Sequence, residues 1–173
     1  LVVTGKFDYD LLKPLPTFFR PIFGSTDFLD FLVIVPMWFF FLFYVISNNL
    51  FASLTDFILF YALLFNSLLI GFAIHLAVAS VGILTTEIDN LVMVYRDMTN
   101  MSRYPTDIYS KGVQYFLTFT IPVVFLITIP AKALLGSINF QTVIIAFSVS
   151  AVFIFLAFKF WYFALARYTS ASS

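Results

Sequence analysis

The sequence predicts an all-α protein, a polytopic membrane helical bundle of about four transmembrane helices. Three observations predict it. Apolar residues make up 62% of the chain and charged residues only 10%, against about a quarter charged in a soluble domain. A chain of 173 residues has too little interior to hide so many Phe, Leu and Ile side chains from water. The apolar residues also fall in long runs, the pattern of segments solvated by lipid.

Residues 1–27 read as a cytoplasmic loop in which Pro14, Pro16 and Pro21 break any long helix. A short amphipathic helix is expected around Phe7–Leu12. The first span runs from about 28 to 48, with Asp30 at its start, where a helix amino terminus tolerates an anion, and Pro36 as a kink. Asn48, Asn49 and Ser53 mark a turn. The second span, about 57–85, is longer than a ~30 Å core needs and should tilt or project. Residues 87–111 are polar; Ile88, Leu91, Val92 and Tyr95 share a face that suits the membrane surface. The third span is expected at about 112–130, with Pro122 inside and Pro130 at its end, and a turn at 132–141 follows. The fourth runs from about 142 to 162 and closes on Trp161 and Tyr162 as an interfacial belt. The membrane domain thus covers residues 28–173.

Basic residues set the expected orientation. One side receives Lys6, Lys13, Arg20, Arg96, Arg103, Lys111, Lys159 and Arg167, and the other only Lys132. The positive-inside rule then places both ends in the cytoplasm of a multi-pass plasma-membrane protein. The chain opens without an initiator Met and reads as a piece lacking its amino-terminal part, whereas the Ser-rich end reads as a natural terminus.

The net charge is zero, which gives no case for nucleic-acid binding, and Cys is absent, which excludes disulfides and thiolate chemistry. No phosphate-binding or dinucleotide loop is present, so the chain does not hydrolyse ATP by itself. Ser80 and Ser148 lack His and Asp partners for a hydrolase triad. Glu87, Asp89, Arg96 and Asp97 read as ion pairs on a solvated face rather than a metal site. His75, the single histidine, lies in the second span about two and a half turns after Asn66. Both are pathway candidates, because polar groups inside a membrane are costly, though packing between helices also uses them. Pro122 and Pro130 join them: each frees a backbone carbonyl, which suggests either a broken or re-entrant helix or a simple kink. Gly71 and Gly82 are candidates for close helix approach. The run Trp38–Phe43 reads as lipid-facing bulk.

Three stretches carry a family likeness. Gly5-Lys6-Phe7-Asp8, continuing to Leu11-Leu12-Lys13-Pro14-Leu15, resembles the Gly-Glu-Leu-Asp…Leu-Leu-Arg-Pro-Leu loop of type-2 ABC transporter permeases of the export branch. Lys6 departs from the usual acid and Lys13 replaces the Arg. Arg103-Tyr104-Pro105 with Ile108-Tyr109, then Ile121-Pro122-Val123 and Pro130-Ala131 through Gly136, form the second stretch, and Arg167-Tyr168-Thr169-Ser170-Ala171 the third. Their order and spacing cover nearly the whole chain. The resemblance implies a six-span subunit of which these are the last four spans, a dimer with a second permease subunit, and separate ABC ATPase subunits that bind the ATP. It also implies that Gly5, Phe7, Asp8, Leu11, Leu12, Lys13 and Pro14 belong to a coupling helix, with Phe7, Leu11 and Leu12 filling a pocket on the ATPase. Arg103, Tyr104, Pro105 and Tyr109 are a second cytoplasmic motif. A non-transporting membrane scaffold and an ion-coupled carrier using His75 and Asn66 are the alternative functions.

Overall fold

The computed structural model describes residues 6–24, 28–85, 106–119 and 122–169, with Met93, Asp97, Asn100 and Tyr104 as single positions between. It is helical, with no strand among the described residues. Two short helices, α1 (Lys6–Leu11) and α2 (Phe19–Phe23), precede the long α3 (Phe28–Ser47) and α4 (Leu54–Leu84). After a 3-10 turn at Thr106–Ile108 come α5 (Lys111–Phe119), a second 3-10 turn at Val123–Phe125, α6 (Thr128–Leu134) and the long α7 (Phe140–Ala166).

Local chemistry sets the helix starts. Ser53 caps α4 by accepting the Asp56 amide through its hydroxyl, and Asn139 caps α7 by accepting the Thr142 amide; each pairs one of the amides that the first helical turn leaves open. Asn49, with φ of 49°, turns the chain between α3 and α4. Among the described residues three helices, α3, α4 and α7, are long and apolar enough to cross a membrane. α3 contains Pro36 and has no charged residue after Asp30.

The core is the pair α4 and α7, which run parallel, amino-terminal end beside amino-terminal end. Val143, Ala146, Ser150, Ala157, Trp161 and Ala164 are the buried residues of α7. Their spacing of three, four or seven is the seam of one helix lying along another. Small residues dominate it, which lets backbones approach without help from the hydrophobic effect. At one end Leu63 and Ile70 of α4 pack with Val143 and Ala146; at the other Ala73, Leu76 and Ile83 pack with Ala157, Trp161 and Ala164. α3 touches this pair chiefly through Val45, Trp38 and Phe41 against Phe60 and Tyr61. Phe39, Phe40 and Phe43 are exposed, in keeping with lipid-facing bulk.

The expected span at 112–130 is not one helix. Pro122 lacks an amide proton and its ring cannot follow a helical turn, and the chain breaks into α5, a 3-10 turn and α6. Of the alternatives left open by the sequence, a broken, re-entrant segment is the one adopted. Pro122 lies beside Ala73, Ala77, Ala157 and Phe160, deep along the bundle. From there Phe125 sits at Ser67, Leu134 at Phe60 and Gly136 at Ala52 and Asp56, so the chain climbs back to the α3–α4 turn. At its other end Asp107 pairs with Lys132 at 2.8 Å. Both limbs of this hairpin therefore open at the end of the bundle that holds the α3–α4 turn, while α1 and α2 pack at the opposite end.

Candidate functional site: a capped end and a re-entrant hairpin

α1 buries the residue expected to reach outward. Phe7 is 1% exposed, edge-on to the rings of Trp161 and Tyr168, with centroids 6.4 and 5.2 Å away. Aromatic edge-to-face packing adds about 0.5–1.5 kcal/mol per pair to the burial itself. Two polar ties reinforce it: the Tyr168 hydroxyl donates to Asp8 at 2.9 Å, and the Trp161 indole N–H donates to the Thr17 hydroxyl at 3.1 Å. The expectation that Phe7 docks into a partner is thus corrected, because the carboxy-terminal end of α7 already holds it. On the outward side, Leu12 is 84% and Tyr9 70% exposed, with Leu11 and Leu15 also accessible.

The loop between α1 and α2 closes on Asp10. Its buried carboxylate receives Arg20 at 2.6 Å and Lys13 at 3.0 Å. Burial works to raise the Asp10 pKa; the hydrogen bonds and charges of Arg20 and Lys13 outweigh it and hold the group below its ordinary value. Tyr168 moves the other way: burial, then the Asp8 carboxylate, raise its phenol above the usual range. Lys13 is therefore a loop-closing residue and Asp8 a tie to α7. Pro14 lies exposed in the loop, and Gly5 falls outside the described residues.

The pathway candidates separate. Asn66 is buried, its side-chain amide donating to the Ala146 carbonyl at 3.4 Å while its own Oδ1 has no partner among the described residues. His75 is exposed on the opposite side of α4 and contacts the Gly71 carbonyl through Nδ1 at 2.8 Å. The two do not form one site. A Cβ at Gly71 meets nothing within 4 Å, so this glycine serves no close approach. Pro122 and Pro130 are both buried in the hairpin. Ser67, which sequence reasoning passed over, holds the hairpin's inner turn by donating to the Phe125 carbonyl at 2.7 Å. A hydroxyl inside an apolar helix was the available signal.

The described part of the second motif, from Asp107 to Tyr109, stands away from α1. Asp107 stands with Lys132 at the α3–α4 turn, and Lys111 begins α5 four residues later. Tyr104 is exposed, and the Tyr109 carbonyl accepts Gln114 at 2.8 Å; Arg103 and Pro105 lie outside the described residues. The motif was expected on the side of α1, whereas this ion pair sets Asp107, beside Tyr109, at the other end of the bundle. Lys111 and Lys132 now share an end, and the basic excess stays with α1 through Lys13, Arg20 and Arg167. Of the acidic cluster after α4, Asp97 alone is described, and no group of metal-ligating side chains occurs among the described residues.

Comparison with known proteins returns one family. No curated protein and no solved structure matches the chain. The sequence matches the ABC-2 family transporter proteins over residues 1–172. That span takes in the capped end, the hairpin and all three long helices. The chain therefore belongs to the ABC-2 family of transporter proteins, as a membrane permease component that is not itself catalytic.

Proposed function

We propose that the chain is part of the permease of an ATP-driven exporter, working by alternating access with ATP bound and hydrolysed on separate ABC ATPase subunits. The observation that carries this reading is the two-faced α1. Its inner face, Phe7 and Asp8, is locked to the end of α7, and its outer face with the loop that follows presents Tyr9, Leu12 and Leu15. Exposed apolar groups beside charges suit a partner surface. A motion of the ATPase pair would reach the bundle through this element. A second permease subunit would complete the pathway, with both ends of the chain on the cytoplasmic side of the cell membrane.

The separation of His75 from Asn66 removes the main support for an ion-coupled carrier. The test is affinity isolation of the full-length protein in mild detergent. An ATPase should copurify and be lost on Leu12→Asp or Tyr9→Asp, with the dimer retained. Recovery of a dimer without any ATPase would favour a scaffold.

A further inference from the structure

Beside the hairpin's inner turn lies a cavity of about 440 Å³, lined by Ala73, Ile74 and Ala77 of α4, Pro122, and Phe153, Leu156, Ala157 and Phe160 of α7. This is within the range of about 300–1,000 Å³ of small-molecule sites. The lining side chains are all apolar, so the space offers water few hydrogen-bonding partners. The three alanines and the break at Pro122 create the space, and Leu156, more than half exposed, marks its opening to the lipid side.

The opening leads to positive charge. Leu156, Phe160, Phe163 and Arg167 recur at helical spacing and share one face of α7. Arg167 is stacked over Phe163 at 4.3 Å, and Lys159, on the flank of that face, lies over Phe155 at 4.8 Å. Residues 140–158 of α7 carry no charge and extend about 28 Å at the helical rise, close to the ~30 Å of a bilayer core. Lys159 therefore stands where the core ends, next in sequence to Phe160 of the cavity lining, and Arg167 lies two turns beyond.

We propose that this groove binds one anionic phospholipid from the leaflet on the α1 side, with an acyl chain in the cavity and the phosphate at Lys159 and Arg167. Two cations above an apolar slot match a negatively charged headgroup with a hydrocarbon tail. Neither cation has an ion pair among the described residues. The full-length protein in nanodiscs, with phosphatidylglycerol or phosphatidylcholine carrying a photoactivatable acyl chain, provides the test. Phosphatidylglycerol should label the segment Phe153–Phe160 more strongly, by about fivefold per cation engaged. Lys159→Gln with Arg167→Gln, both at exposed positions, should bring the two lipids to equal labelling. Ala77→Phe should reduce labelling by both. Equal labelling of the unmodified protein, no labelling of this segment by either lipid, or labelling indifferent to the paired Gln substitutions would overturn the proposal.

Discussion

The Ser67 hydroxyl has one proton and two carbonyls within reach, Leu63 at 2.8 Å and Phe125 at 2.7 Å. If the hairpin withdraws, Ser67 keeps its bond to Leu63 and only the Phe125 oxygen is orphaned. Ser67→Ala should accordingly destabilise the protein by about 1–3 kcal/mol, the cost of one buried unpaired acceptor, while Ser67→Thr retains most of it. Thermal unfolding in detergent measures this, and an unchanged Ser67→Ala would remove the latch. Asp10 supports a second expectation, with its sign set by its lowered pKa. The contribution of a depressed carboxylate is complete above its unfolded pKa of ~3.9 and fades as pH falls through the lower folded value. A spin label at Leu15 should stay restrained from neutral pH to about 5 and loosen only below about 4. Asp10→Asn should be loose throughout. The separation of His75 from Asn66 was readable beforehand: two and a half turns put two residues on opposite faces of a helix. The Asp10–Arg20 pair was not, because nine residues, two of them prolines, lie between them.

Among the elements, the hairpin departs most from a simple hydropathy reading. Hydropathy over 112–130 gives one span, because apolar content is blind to chain direction. Pro122 carried the signal for a break, but the return of the chain shows only in contacts such as Phe125 with Ser67 and Asp107 with Lys132. Both residues are exposed, so their pairing adds at most about 0.2–1 kcal/mol; its value lies in proximity. Cysteines at Asp107 and Lys132 should form a disulfide under mild oxidation, whereas Asp107 with Lys13 should not. Gly136 closes the same turn at φ of +66°, where an added Cβ would stand 2.6 Å from the Ala52 side chain. Gly136→Ala should therefore cost on the order of 1–2 kcal/mol from the backbone alone, with further loss from the clash. α3, α4 and α7 were legible within a few residues of their ends, since each is a long apolar run and α3 continues through Pro36.

Across the whole molecule, α4 fixes the geometry, with 31 residues and a length of about 46 Å. Its amino-terminal end meets Gly136 and its carboxy-terminal end packs in the cluster with Phe7 and Trp161. Thr85 and Asp107 consequently lie at opposite ends of the bundle. In sealed vesicles, a membrane-impermeant thiol reagent should reach a cysteine at Thr85 or Leu12 from one side and at Asp107 from the other. Labelling of all three from a single side would refute this arrangement. Charge counting had put Lys111 with the α1 end because a sequence records which residues are polar, not where a folded hairpin delivers them.

The anchoring of α1 also determines where a mechanical load would go. Phe7, Asp8 and Thr17 all grip Trp161 or Tyr168, and α7 is an unbroken rod of 27 residues, about 40 Å long. α3 shares none of those ties and holds the rest chiefly at its far end, through Val45 and neighbouring aromatics. A thrust on α1 would thus travel up α7 as through a piston and emerge at Asn139, beside the turn that closes the hairpin, leaving α3 largely unloaded.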